Sequence, residues 1–167
     1  MAVGRTFIGF GSNLSDPEVQ IEQSLLGVGK CSVEIEEVSS LYRTEPVDTP
    51  TEHWFLNCVA SVRSEYSPYE LLRICQTIES AQGRERAVYH GPRTIDLDLL
   101  LMGNLILNRA ELTLPHPRLH LRRFVLVPLS EIAPELIHPQ LGLSAQQMLS
   151  RCNDTSAVVR AGTLVPR

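Results

Sequence analysis

Asp96 and Asp98 stand two residues apart in the apolar run Ile95-Asp96-Leu97-Asp98-Leu99-Leu100-Leu101, just after Gly91-Pro92-Arg93-Thr94. Side chains on a strand alternate between faces, so this spacing predicts Ile95, Leu97, Leu99 and Leu101 on one face and both acids on the other. Their Cα atoms would then lie roughly 7 Å apart. Two carboxylates so placed repel unless a positive group sits near them, and oxygen pairs of this kind hold hard cations such as Mg²⁺. The bland reading is a half-exposed edge strand with an acidic outer face.

The basic residues sharpen the argument. Lys30 is the only lysine among 15 basic residues, and seven arginines (Arg84, Arg86, Arg93, Arg109, Arg118, Arg122 and Arg123) fall between positions 84 and 123. Only Glu85, Asp96, Asp98 and Glu111 oppose them there, so this stretch is locally positive within a chain of net charge −4. Arginine forks match phosphate oxygens in a bidentate way, which points to a polyanion site. Neither GxxxxGK[ST] nor GxGxxG occurs, so phosphate binding would rest on arginine and metal, acting by positioning and electrostatics.

These groups need a frame. At 167 residues with 43% hydrophobic and 20% charged content, the chain is expected to be one soluble domain, residues 1–161, residing in the cytoplasm. No apolar run suits a membrane span or an export signal, so no membrane association is expected. Residues 162–167, Gly-Thr-Leu-Val-Pro-Arg, read as an expression remnant from a cloning junction and a cut protease-tag site. The scattered cysteines (Cys31, Cys58, Cys75, Cys152) read as buried small hydrophobes in a reducing compartment.

Thr6–Phe10 reads as a first strand. Asp16-Pro17-Glu18 starts a helix with Ile21, Leu25, Leu26 and Val28 inward and Gly27/Gly29 as its stop. Residues 32–44 read as one long strand, 45–53 as a loop, and Trp54–Ser64 as a third strand. On that third strand Phe55, Asn57 and Val59 face one way, and Leu56, Cys58, Ala60 and Val62 the other. Ser67-Pro68-Tyr69-Glu70 is a capping box opening a helix with Leu71, Leu72, Cys75 and Ile78 inward and Gly83 as its stop. On this helix Glu79 falls on the polar side, as a solvated charge. A polar loop at 84–92 precedes the Asp-x-Asp strand. A hairpin, a helix near 122–131 and a last helix near 144–151 follow. The order β-α-β-β-α-β predicts an α+β ferredoxin-like sandwich with a C-terminal hairpin and two extra short helices, helices on one sheet face and the other left available.

The pieces taken together resemble the 6-hydroxymethyl-7,8-dihydropterin pyrophosphokinases of folate biosynthesis. The resemblance runs from Gly9 to about Pro139. It is carried by Gly11-Ser12-Asn13, Ser39-Ser40-Leu41-Tyr42-Arg43-Thr44, Phe55-Leu56-Asn57, Gln82-Gly83-Arg84-Glu85-Arg86 and Gly91 to Asp98. Pro115-His116-Pro117-Arg118, Arg122-Arg123-Phe124-Val125-Leu126 and Pro128 to Pro134 complete it. It implies transfer of a diphosphate from ATP to the pterin hydroxymethyl group, with AMP released. It further implies two Mg²⁺ on Asp96 and Asp98, with Arg84, Arg93 and both aspartates catalytic. ATP contacts are implied for Glu79, Arg84, Arg86, Arg93, Leu99, His116, Arg118 and Arg122, and pterin contacts for Thr44, Pro46, Val47, Phe55, Asn57 and Phe124, with the two phenylalanines sandwiching the ring. One departure is plain: the family commonly carries a basic residue and a tryptophan before Gly-Pro-Arg, where this chain has Tyr89-His90 in a loop one residue shorter. Small-molecule substrates and a monomer are expected. The alternatives are a ferredoxin-like RNA-binding module or a small-molecule regulatory module. Low aromatic content (5%), the lack of an RNP-like motif and the acidic balance argue against the first. The second would leave the acids and arginines without a purpose.

Overall fold

The computed structural model describes residues 4–14, 16–83 and 95–164. Strand β1 (Thr6–Ser12) lies between β4 (Phe55–Arg63) and β5 (Asp96–Met102), antiparallel to both. The other edge of β4 is shared by β2 (Glu34–Val38) and β3 (Leu41–Thr44), and β8 (Val158–Gly162) closes the far side of β3. A separate hairpin joins β6 (Leu107–Asn108) to β7 (Thr113–Leu114).

The first helix, α1 (Pro17–Lys30), starts as expected, with Asp16 accepting from the Val19 N–H and proline in the first turn. It runs through both glycines that were expected to stop it. A Cβ on Gly27 would lie 3.4 Å from Cγ1 of Ile78 on α2 (Pro68–Ala81), so this glycine stands at the contact between the two helices. Leu26 is 51% exposed and does not belong to the inward stripe, where Ser24 is buried instead. The α2 capping box forms in full, and Gly83 ends the segment at φ +80°.

The expected strand 32–44 is broken in two at Ser39-Ser40. Ser39 donates its N–H to the Val59 carbonyl (2.9 Å), while its Oγ accepts from the Val59 N–H (2.9 Å). A serine side chain therefore completes the ladder where backbone pairing lapses between β2 and β3. Strand β8 went unforeseen because its residues are mostly exposed and its end was assigned to the remnant. It runs through Gly162, and Leu164 packs on the core.

Two apolar layers flank the sheet. Leu56, Cys58, Ala60 and Val62 of β4, with Leu97 and Leu99 of β5, pack with α1 and α2, as the alternation predicts. The opposite face is not left open. Helices α3 (Arg123–Ile132) and α4 (Ala145–Arg151) cover Phe7, Val59, Leu100 and Leu101 there. Leu101 sits in this second layer because the β1–β5 register slips between Phe7 and Ile8, which pair with Leu101 and Leu99. Leu100 is the extra residue of this bulge, and the bulge reverses the alternation beyond it. Cys58 and Cys75 are buried, and Cys31 and Cys152 are half-buried; all four are free thiols.

Replacing Ser39 with alanine leaves the Val59 N–H buried without its acceptor, which costs about 1–3 kcal/mol. Ser67→Ala removes an exposed cap and costs about 1 kcal/mol. Urea unfolding of both variants is expected to place Ser39→Ala below Ser67→Ala in stability; the reverse order would show that the Ser39 bridge is dispensable.

Candidate active site

Gly9 and Gly11 project no side chains from the middle of the sheet, and a cavity opens above them. In register, Gly11 lies between Asp96 on β5 and Asn57 on β4, and Gly9 lies between Asp98 and Val59. Both aspartates are half-buried and line the cavity on one face, as their spacing predicts. Gly11 matters sterically, whereas Gly9 leaves room for ordinary contact. A Cβ on Gly11 would collide with Oδ1 of Asn57, and one on Gly9 would meet the Leu100 side chain at 3.5 Å.

At one end of the cavity Asn57 donates through Nδ2 to Thr44 Oγ1 at 2.7 Å. Both residues are buried, so this bond fixes the amide and aims its remaining polar capacity at the cavity. Phe55, Val47, Glu45 and Thr49 line the same end, and Phe124 and Val125 at the start of α3 border it. Pro46 is half-buried in the loop but does not line the cavity. The irregular segment between β3 and β4 covers the loop expected there.

At the acidic end, Arg122 precedes α3 and lines the cavity, its guanidinium carbon 5.5 Å from the Phe124 ring centre. Burial pulls its guanidinium below the usual value and Arg118 adds to this, while Asp98, Asp96 and Asp48 favour its charge. Arginine remains protonated in such a setting. The first helical N–H, on Arg123, donates to Asp154 at 2.9 Å, so a distant carboxylate fixes the helix start that carries Arg122 and Phe124. No sequence signal pointed to Asp154.

His116 lies outside the cavity lining but within electrostatic reach of Arg122, Asp96 and Arg118. Burial first, and then Arg122, push its imidazole down to about 4, so it is neutral at pH 7. Its Nδ1 accepts from the Arg118 N–H (3.1 Å), which assigns the proton to Nε2 and makes that nitrogen a donor. Arg118 itself is exposed.

One further expectation resolves differently. Glu79 is 3% exposed on α2, not the solvated charge its helix position suggested. Leu99 is buried in the layer against α1 and α2, on the face away from the cavity. Arg84, Arg86 and Arg93, with Tyr89 and His90, lie outside the described residues. Sequence reasoning missed Gly9, Phe10, Gly11, Glu45, Thr49, Cys58, Val59, Leu100 and Val125 as lining residues. Two glycines at spacing two within an apolar strand were the available signal.

Among the described residues no group of three or more histidines, cysteines and acids is placed to hold a metal. Two half-buried carboxylates on one face nevertheless fit Mg²⁺, which is commonly held by one or two protein carboxylates while phosphate oxygens and water fill its remaining positions. The arrangement thus offers one polar, ring-flanked end for a flat heterocycle and one charged end for a metal-bound polyphosphate.

The chain is similar to several known proteins. The family model described as 7,8-dihydro-6-hydroxymethylpterin-pyrophosphokinase (HPPK) matches residues 7–134. The 2-amino-4-hydroxy-6-hydroxymethyldihydropteridine pyrophosphokinase of Haemophilus influenzae is 41% identical over 134 residues, covering 80% of this chain and 84% of the relative. The protein of the same name from Pseudomonas aeruginosa is 36% identical over 151 residues, covering 90% and 93%. The folic acid synthesis protein fol1 of Schizosaccharomyces pombe is 38% identical over 146 residues, but the chain spans only 20% of it. In fold, the solved HPPK-DHPS in complex with substrates superposes with a TM-score of 0.73 at 14% identity, over 90% of this chain and 43% of that one. The chain belongs to the 7,8-dihydro-6-hydroxymethylpterin-pyrophosphokinase family.

Proposed function

We infer that this protein is an ATP-dependent diphosphotransferase that acts on 6-hydroxymethyl-7,8-dihydropterin and yields AMP and the pterin diphosphate in folate biosynthesis. The observation that carries the reading is a single cavity joining Asn57, Thr44, Phe55 and Phe124 at one end to Asp96, Asp98 and Arg122 at the other. Two Mg²⁺ ions, a monomeric state and a cytoplasmic setting belong to the same reading. The sheet order β5-β1-β4-β3 with α1 and α2 on one face supports the ferredoxin-like reading of the fold. Residues 1–161 are read as one catalytic domain and 162–167 as an expression remnant, whose first residue, Gly162, is the last of β8.

In this reading Asn57 recognises the pterin edge by hydrogen bonds, with Thr44 holding its amide in one orientation. Phe55 and Phe124 contribute ring surface to the heterocycle. Asp96 and Asp98 hold Mg²⁺, which when bound neutralises phosphate charge and orients the triphosphate. Arg122 offers its guanidinium to phosphate oxygens, and neutral His116 donates from Nε2 to the nucleotide. The roles of Arg84, Arg86 and Arg93 in gripping phosphate rest on the family pattern alone. The pterin hydroxymethyl oxygen bonds to the β-phosphorus, the bond from that phosphorus to the α-bridging oxygen breaks, AMP departs and the hydroxyl proton is lost. Positioning and charge stabilisation suffice for such a transfer.

The direct test is to incubate the protein with Mg-ATP and the reduced pterin and assay AMP; absence of AMP in a folded sample would refute the activity. Asp96→Asn and Asp98→Asn keep size but remove charge, and each is expected to lower turnover by about 10²-fold or more with the fold intact. Near-normal turnover at saturating Mg²⁺ would overturn their assignment.

Asn57→Ala should weaken pterin binding while leaving the affinity for a non-hydrolysable ATP analogue within about twofold, because only one ligand loses hydrogen bonds. Gly11→Ala should reproduce this pattern by displacing the Asn57 amide. Calorimetric titration with each ligand checks both, and equal loss for both ligands would contradict a pterin-specific role.

A further inference from the structure

We propose that Glu131 is a positioning residue for the pterin end of the site, acting through Tyr42 and Ser40 and touching no substrate itself. Glu131 lies in the last turn of α3 and, although exposed as a residue, has its carboxylate tied to β3 and the residue before it. One oxygen accepts from Tyr42 Oη at 2.6 Å, and the Ser40 N–H reaches both oxygens at 3.0 and 3.1 Å. The second oxygen also accepts from Ser40 Oγ at 2.9 Å, and Arg160 Nε donates to that hydroxyl at 3.0 Å. Burial acts to raise the carboxyl pKa, but the Tyr42 and Ser40 hydrogen bonds and Arg160 outweigh it and hold it below its ordinary value. Burial and the Glu131 carboxylate push the Tyr42 phenol up to about 12, so it stays a donor.

The geometry connects this anchor to the substrate end on both sides. Tyr42 pairs in register with Asn57, and Thr44, two residues further along the same face, receives the Asn57 amide hydrogen. On the helix, Glu131 and Phe124 are seven residues apart. Two turns of α-helix return to nearly the same face, so Phe124 stands on the stripe that Glu131 fixes, about 10 Å along the axis. The helix start is held independently by Asp154. With both ends fixed, the rotation of α3 is set relative to β3 and β4, and with it the placement of Phe124 across from Phe55 and Asn57. A neutral amide at position 131 has one acceptor oxygen for donors that now share two, so size alone does not preserve the tie.

The proposal rests on the pterin reading of the cavity, and its test separates the two. Wild type, Glu131→Gln, Tyr42→Phe and the double variant are each titrated with the pterin and, separately, with a non-hydrolysable ATP analogue, after their folding is verified by circular dichroism. The expected result is pterin affinity lowered about tenfold in each single variant, ATP-analogue affinity within twofold, and a double variant no worse than the worse single one. Unchanged pterin affinity in a folded single variant, equal loss for both ligands, or additive losses in the double variant would overturn it. If Glu131→Gln does not fold, Tyr42→Phe decides the question by the same ligand comparison. Wild-type protein that binds no pterin would refute the underlying reading and this proposal with it, whereas wild type that binds alongside unaffected variants refutes the proposal alone.

Discussion

Gly9 and Gly11 sit in β1, where β4 and β5 are hydrogen-bonded on either side, so the backbone under the cavity is held by two ladders at once. A strand in that position normally sends side chains into a packed layer on each face. Here Gly9 and Gly11 send no side chain to the stretch of that face between Asp96, Asp98 and Asn57, and the cavity occupies the space such side chains would fill. The same strand sends Ile8 and Phe10 into the layer against α1 and α2 and Phe7 into the layer under α3 and α4, so both faces contribute to stability and only the glycine stretch is kept for binding. Glycine is costly within a strand, and the double pairing of β1 is what makes two of them tolerable.

The second face still needs cover, and α3 supplies it without closing the cavity. Val125, Leu126 and Leu129 pack with Phe7, Val59, Leu100 and Leu101, while Arg122 and Phe124 in the helix approach stay half-buried at the cavity. The helix thus serves as core element and cavity wall through different sides of one cylinder. Its attachments are polar: Asp154 holds the first turn and the Ser40–Tyr42 pair holds Glu131 in the last.

Much of the frame was legible because it is written in local patterns. The Ser67 capping box, the alternation along β4 and the shared face of Asp96 and Asp98 all follow from neighbours in the chain. What escaped depends on distant partners. Gly27 looked like a helix stop until Ile78 was seen against it, and Ser39 looked like strand until its hydroxyl took over a ladder bond from Val59. The bulge at Leu100 reversed the faces of the residues beyond it, which period-two counting within one strand cannot reveal. Glu79 seemed solvated because its helix face was judged polar, yet that position is covered by the rest of the molecule. In the site, the charged and aromatic members announced themselves by residue type, whereas the glycine floor was a matter of missing atoms.

The nearness of Arg122 to Asp96 and Asp98 has a bearing on how little the protein must rearrange when it is loaded. Two acids facing an open cavity would by themselves splay apart or draw in loosely held counter-ions, and each encounter with substrate would begin by undoing that disorder. A guanidinium fixed by burial and by its helix supplies a permanent counter-charge, so the electric field across the cavity has its direction before anything enters. Dipoles and charges already aimed need little reorganisation energy during reaction, and water, which must reorient to stabilise the same charge, cannot match them.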